Sequence, residues 1–353
     1  MIEDALHDAE NCNRAGEDIS HFSPDQAGLI DLIDEARAAQ RNEGTVREGW
    51  MKAIAPAKVN LFLDVGTRRE DGYHEVESIM HVLNLHDVLY LRRSEELPGS
   101  GLAIEVACRT FGGIEPLAVS SEDNLVSKAF RLLAERCGRV ADEKLHVIIE
   151  KHIPAQAGLG GGSSDAAAAL VGAARLWGIA PDDPCVEEAA RSLGVDVAFF
   201  LRGGCARFTG AGETFDRSLV PLGVPVVLVK PQGGVSTVEA YRAFDEDPQP
   251  VPPAKRAIAL AASRAADVPL CNNLTKAAQL LLPELSEVHA WIAGRDGVEG
   301  SLMSGSGSAV FAVCRDVASA CNLAAASRAR GWWARTTSFG SARAALGPSE
   351  ACL

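Results

Sequence analysis

The stretch richest in chemical meaning is Pro154-Ala155-Gln156-Ala157-Gly158-Leu159-Gly160-Gly161-Gly162-Ser163-Ser164. Its four glycines let the backbone adopt left-handed angles and approach a ligand closely. It runs directly into an alanine-rich segment, Ser163 to Trp177, whose composition predicts a helix. The free N–H groups at a helix start, with a dipole of roughly +0.5 charge, form an anion site. Such a loop can hold a triphosphate without many lysines. Two other phosphate motifs do not fit. A Walker loop needs a lysine after its glycines, and none follows here. A dinucleotide fingerprint needs a third glycine where Ser163 stands. The run lies between a predicted strand and a strongly helical segment, which argues against a glycine linker.

Two further motifs flank this loop in the chain. Met303-Ser304-Gly305-Ser306-Gly307-Ser308 precedes the apolar run 309–314, and Pro56-Ala57-Lys58-Val59-Asn60 opens the body. In 58–65, Val59, Leu61, Leu63 and Val65 alternate with Asn60, Phe62 and Asp64, which predicts a strand. Lys58, Asn60 and Phe62 then share one face. Taken singly, Lys58 reads as a solvated lysine and Asp196 as a turn or helix-end carboxylate. Only their surroundings give them chemistry.

The elements that would position these residues follow from pattern. A turn at Glu70-Asp71-Gly72 leads into a second strand region, 74–85. Ser120 or Ser121 caps a predicted helix at 122–137, and Leu145, Val147 and Ile149 suggest a strand ending at Pro154. Strands at 224–229 and 309–314 and helices near 256–266, 274–283 and 317–330 complete the body. No internal repeat is evident. Strand runs mixed with helices and hairpin signals favour an α+β fold. A chain of 353 residues suits two domains.

Composition excludes several classes. Hydrophobic residues make up 47% and charged residues 23%, ordinary for a globular protein. The net charge of -13 argues against a nucleic-acid binder. Residues 1–49 hold 12 acidic residues, four arginines and no lysine, so -8 of that charge lies in an N-terminal extension. Within it, Ser23-Pro24 and an apolar stripe predict one helix over 24–40, expected to dock against the body or a dimer mate. No run approaches the ~18–20 apolar residues of a membrane span. The N-terminus lacks the layout of a signal or transit peptide. Nine scattered cysteines without a CxxC pair make zinc or disulfides a poor account and suit a reducing cytoplasm.

Together the three motifs resemble the superfamily of galactokinase, homoserine kinase, mevalonate kinase and phosphomevalonate kinase, the GHMP kinases, and they occur in its order. The run PAKVNLFLDVGTRREDGYHEVESIM, then SEDNL, then LGVDVAFFLRGG, is similar to the family of 4-diphosphocytidyl-2-C-methyl-D-erythritol kinases. The resemblance covers about residues 51–345. It implies a two-lobed GHMP kinase fold: a ribosomal-protein-S5-like N-terminal lobe, 50–216, and a ferredoxin-like C-terminal lobe, 217–353. It implies ATP, with Mg²⁺, as co-substrate, and phosphorylation of the 2-hydroxyl of a cytidine-diphosphate-bearing small molecule in non-mevalonate isoprenoid synthesis. Lys58 and Asp196 become the catalytic pair. Residues 154–164 and Asn124 become the ATP site, and Asn60, Tyr73 and His74 the substrate site, with Tyr73 and His74 holding the cytosine. No metal ligand is assigned.

Such a pair makes chemical sense. An attacking alcohol must lose its proton, which a carboxylate can take. A neighbouring ammonium keeps that carboxylate ionised and steadies the developing alkoxide. The sequence departs from the family pattern at Ala198, where proline is usual, and at Asn272-Asn273-Leu274-Thr275, where the family has NDLE. It departs again at FTGAGE, where a basic residue is usual between the glycines. Another GHMP small-alcohol kinase and a non-catalytic ligand sensor are the alternatives. The DGYH turn argues against the first, and retention of both Lys58 and Asp196 against the second.

Overall fold

The computed structural model describes residues 50–347 except 71, 96–97, 117–119 and 141. The predicted helix at 24–40 and its docking lie outside the described residues.

The chain opens with two long strands, β1 (Trp50–Arg68) and β2 (His74–Glu95), which form an antiparallel hairpin. Then come β3 (Leu102–Thr110), α1 (Leu125–Arg136), β4 (Glu143–Lys151), α2 (Gly161–Trp177), α3 (Pro184–Leu193) and α4 (Val195–Arg202). A hairpin of β5 (Cys205–Thr209) and β6 (Thr214–Leu219) closes this part. The strands form one sheet in the order β1-β2-β4-β3, with β5 and β6 continuing from β2. The β3–β4 pair is parallel, the others antiparallel.

One face of this sheet supplies Ala53, Ala55, Leu89, Leu91, Leu145 and Val147 to a core shared with α1 and α2. The alanines of α2, 166–169, are fully buried. Small side chains let this helix lie close to the strands. A Cβ at Gly172 would run into Leu91. β2 extends ten residues past the predicted strand, and β3, α3 and α4 were not expected as elements.

The second sheet holds β7 (Pro225–Lys230), β9 (Val298–Met303), β10 (Val310–Cys314) and β11 (Trp333–Ser338). Between β7 and β9 lie α5 (Thr237–Glu246), α6 (Pro253–Ala261), the short β8 (Cys271–Asn272), α7 (Thr275–Leu281) and α8 (Glu284–Ala293). α9 (Val317–Ala329) joins β10 to β11, and β12 (Ala345–Leu346) ends the described chain. The strand order β11-β7-β10-β9, antiparallel throughout, is the ferredoxin-like arrangement expected of the C-terminal lobe.

The expected division at 216 falls inside β6, so the first sheet runs on to Leu219. The chain also returns to it twice: β8 pairs in parallel with β1 at Phe62 and Leu63, and β12 pairs antiparallel at Ala53 and Ile54. The lobes are therefore stitched together by backbone. Among the described residues, no helix is long and apolar enough to cross a membrane.

Candidate phosphotransfer site

β1 carries the first site residues. Val59 and Leu61 point into the core and are fully buried, so Lys58 and Asn60 face the other way. Register shifts between Pro56 and Lys58 and between Asn60 and Phe62 mark bulges on either side. Bulges of this kind re-aim side chains beside functional sites. The Lys58 ammonium donates to Asn60 Oδ1 at 2.7 Å and lies 3.4 Å from Asp196 Oδ2. Asn60 Nδ2 donates in turn to Ser78 Oγ at 2.8 Å. Lys58 and Asn60 are each 4% exposed, whereas the Asp196 side chain, in the first turn of α4, is 27% exposed. The lysine is thus fixed from two sides, while the carboxylate reaches the open cavity.

The glycine-rich loop passes over this pair. Lys58 N–H donates to Leu159 O at 3.0 Å. Gly160, at φ +73°, caps α2, and a Cβ there would stand 2.7 Å from the Phe200 ring and 3.1 Å from Lys58 Cγ. Gly158, at φ +72°, packs against Ser304, where a Cβ would collide with the carbonyl oxygen. The third motif supports the loop from behind. Ser304 Oγ donates to Gly158 O at 2.8 Å, and the Ser308 and Ala309 N–H groups donate to Gln156 O and Ala157 O, each at 3.1 Å. Ser164 N–H makes the first intrahelical bond, to Gly160 O at 2.9 Å. The preceding N–H groups, of 161–163, are those a helix leaves for a ligand.

These parts line one cavity of about 640 Å³. Its wall includes Lys58, Asn60, Asn124, residues 154–163, Asp165, Asp196 and Tyr241. Asn124 is the N-cap of α1, accepting from Val126 N–H at 2.9 Å. Ser164 does not line the cavity. Its hydroxyl is fully buried.

The expected Tyr73–His74 pair does not form the wall. Tyr73 is 67% exposed, and neither residue lines the cavity. His74 faces the other lobe: its Nε2 bonds Asp245 Oδ1 at 2.6 Å, and its ring lies 5.0 Å from that of Tyr241. The aromatic face in the wall belongs to Tyr241. Burial and then the charge of Asp196 push its phenol up to about 12. Sequence reading missed Tyr241, which sits 45 residues beyond Asp196 on α5, a helix the pattern did not reveal.

It also missed a buried ion triad beneath the loop. Lys151, at the end of β4, pairs with Asp87 of β2 and with Asp165 of α2, the latter at 2.6 Å. Asp87 Oδ1 accepts from the His152 and Ile153 N–H groups, pinning the strand end that feeds the loop. Burial raises Asp165 to about 8 against the opposing effect of Lys151. The departures at 272–275 are structural. Asn272 Nδ2 donates to Met303 O and Gly305 O, at 2.9 and 2.7 Å. Asn273 bonds both Val65 N–H and Val65 O at 2.9 Å.

Two lobes, a lysine–aspartate pair and a glycine loop backed by a second glycine motif define a GHMP-type small-molecule kinase. The family model for the GHMP kinases N terminal domain matches residues 124–204, and that for the GHMP kinases C terminal matches 255–330. A 4-diphosphocytidyl-2-C-methyl-D-erythritol kinase from Desulfitobacterium hafniense is 38% identical over 290 residues, 80% of this chain and 93% of the relative. Its counterpart from Pelotomaculum thermopropionicum is 40% identical over 279 residues, covering 77% and 92%. The crystal structure of a 4-(cytidine 5'-diphospho)-2C-methyl-D-erythritol kinase matches with TM-score 0.64 and 36% identity, over 85% of this chain and all of that one. The chain belongs to the 4-diphosphocytidyl-2-C-methyl-D-erythritol kinase family.

Proposed function

We propose that this protein transfers the γ-phosphoryl group of ATP to the 2-hydroxyl of 4-diphosphocytidyl-2-C-methyl-D-erythritol, a step of non-mevalonate isoprenoid synthesis. The observation that carries this reading is the Lys58–Asp196 pair, held 3.4 Å apart at the foot of the glycine loop. The triphosphate lies on the N–H groups of 161–163, at the start of α2. The substrate hydroxyl approaches Asp196, which takes its proton as oxygen attacks phosphorus and ADP leaves. Lys58 steadies the growing negative charge, and Asn60 holds the lysine and reaches the erythritol portion. Asn124 lies on the nucleotide side. Holding the hydroxyl in line with the γ-phosphate supplies much of the rate.

The Tyr241 ring, with the His74 ring tilted against it at 5.0 Å and Tyr73 exposed nearby in the chain, offers cytosine a flat partner. Base–aromatic stacking is worth about 1–3 kcal/mol. Mg²⁺ travels with ATP as part of the co-substrate. Among the described residues, no three His, Cys, Asp or Glu side chains gather into a ready-made ion cage. The protein is expected to act in the cytoplasm, with its acidic extension docked on the body or a dimer mate. Deleting 1–49 and measuring turnover and oligomer size tests the docking.

The central experiment is an ADP-release assay with Mg·ATP and, in turn, the cytidine diphosphate substrate, mevalonate and homoserine. Turnover is expected with the first alone. Turnover with mevalonate or homoserine and none with the first overturns the reading.

A further inference from the structure

The chemistry above leaves Asp165 without a role, although it lines the cavity from the second turn of α2, one residue past the phosphate loop. The residue is 4% exposed. Its Oδ2 accepts from Lys151 Nζ at 2.6 Å, while Oδ1 is buried with no hydrogen-bond partner among the described residues. A buried carboxylate oxygen normally has one. Lys151 is already neutralised by Asp87, which holds the N–H groups of 152 and 153. With all three groups ionised, the triad carries one net negative charge directly behind the N–H groups that must receive a triphosphate. That sign opposes binding.

A proton on Asp165 Oδ1, the oxygen that accepts no hydrogen bond, makes the triad neutral without disturbing the bond from Lys151 to Oδ2. We propose that seating the triphosphate shifts Asp165 toward its protonated form, so that this positioning residue links nucleotide affinity to pH. The proposal rests on reading the 154–164 loop as the ATP site.

The groups facing Asp165 are Lys151 from β4, Asp87 from β2 and Cys108 from β3. Burial and then the charge of Asp165 push the Cys108 thiol up to about 11, so it stays protonated through the relevant range. The residues that β1, α1 and α4 contribute to the hydrophobic core around α2, among them Ala55, Val126 and Phe200, carry no titratable group. Burial already holds the Asp165 carboxyl well above the usual carboxylate range. A polyphosphate beside it raises that value further, because a like charge disfavours ionisation.

The test is calorimetric titration of the full chain with Mg·ATP, without acceptor substrate, from pH 7 to 9.5. Each titration is run in two buffers of different ionisation enthalpy. If binding shifts the Asp165 pKa by one unit, uptake peaks at roughly half a proton per nucleotide, and Kd rises about tenfold across the range. Asp165→Asn, which keeps the shape and fixes the neutral form, should abolish the uptake and flatten the pH dependence of Kd. Its melting temperature reports whether the variant folds, and the wild-type buffer dependence stands regardless of that result. ATP binding with equal heats in both buffers at every pH refutes the linkage and leaves the nucleotide reading intact. Undiminished uptake in Asp165→Asn also refutes it. Failure of Mg·ATP to bind at all refutes the nucleotide reading itself.

Discussion

Acidification should destabilise the folded chain through His81, and the structure sets the size of the effect. His81 is fully buried on β2, opposite Val59, the residue between Lys58 and Asn60. Its Nδ1–H donates to Val82 O at 2.9 Å, and its Nε2 accepts from Leu222 N–H at 2.8 Å. The ring packs 4.6 Å from that of Phe339. It therefore fastens the link between the two sheets to the strand paired with β1. A second proton would turn the acceptor Nε2 into a donor aimed at another N–H. Burial pushes its pKa down from 6.5 to about 4. The folded state thus binds fewer protons than the unfolded state below pH 6.5. Stability is full above that value and falls as pH drops toward 4. Linkage gives a loss of about 2 kcal/mol at pH 5 and about 3 kcal/mol below pH 4. Asp165 acts oppositely, since its raised pKa favours the folded state as pH falls through 8. A comparison against a His81 variant separates the two. His81→Gln can make the same two hydrogen bonds without titrating. Urea unfolding of both proteins at pH 7.5 and 5.0 should show the wild type losing about 2 kcal/mol more than the variant. Equal losses would refute a buried neutral imidazole as the source.

Lys58→Ala and Asp196→Asn should each lower kcat by about 10²–10⁴ while Mg·ATP still binds by calorimetry; full turnover in both would remove them from the mechanism. Gly158→Ala meets both a positive φ and the Ser304 carbonyl, so it should cost about 2 kcal/mol or more and lower Tm by several degrees; an unchanged Tm contradicts that packing. Tyr241→Ala should raise KM for the cytidine substrate roughly tenfold or more and leave KM for ATP nearly unchanged; equal effects on both would place the ring elsewhere. Asn273→Asp, which restores the family residue, removes the donor to Val65 O and sets two oxygens together. It should destabilise this chain by about 1–3 kcal/mol, measured by urea unfolding, and a neutral result would mean that the loop adapts.

The parts legible in the sequence were those with local signatures. The glycine loop and α2 announce themselves by composition. The facing of Lys58 and Asn60 follows from a two-residue repeat that holds only because Val59 and Leu61 fill the core. α4, in contrast, reads as a short apolar run of either type. Its start and stop are the glycines Gly194 and Gly203, with no side-chain cap to mark the start. α5 does have a side-chain cap at Ser236, but only Ala240 and Phe244 of its length are buried. Its stripe is too thin to reveal a helix, so Tyr241 went unseen. The triad joins residues 64 and 14 positions apart, which no window contains. One clue was present: an acid among the buried alanines of α2 requires a cation, and Lys151 stands just ahead of the loop.

On the proposed reading, the site's charges explain how an acidic protein binds a nucleotide here. Each cation at the cavity is already committed, Lys58 to Asp196 and Lys151 to Asp87 and Asp165. The side chains therefore bring no surplus positive charge to the triphosphate. What remains is directional: N–H groups at the start of α2, held in place by Gly158 and Gly160, where a Cβ would collide with the Ser304 carbonyl and the Phe200 ring. Donors fixed in this way need no reorganisation when the phosphate arrives, and they act at short range, where ionic strength screens little. The net charge of -13 weakens long-range attraction of ATP without touching those contacts. In the proposed mechanism the Lys58–Asp196 pair is then free to work on the hydroxyl proton instead of on binding.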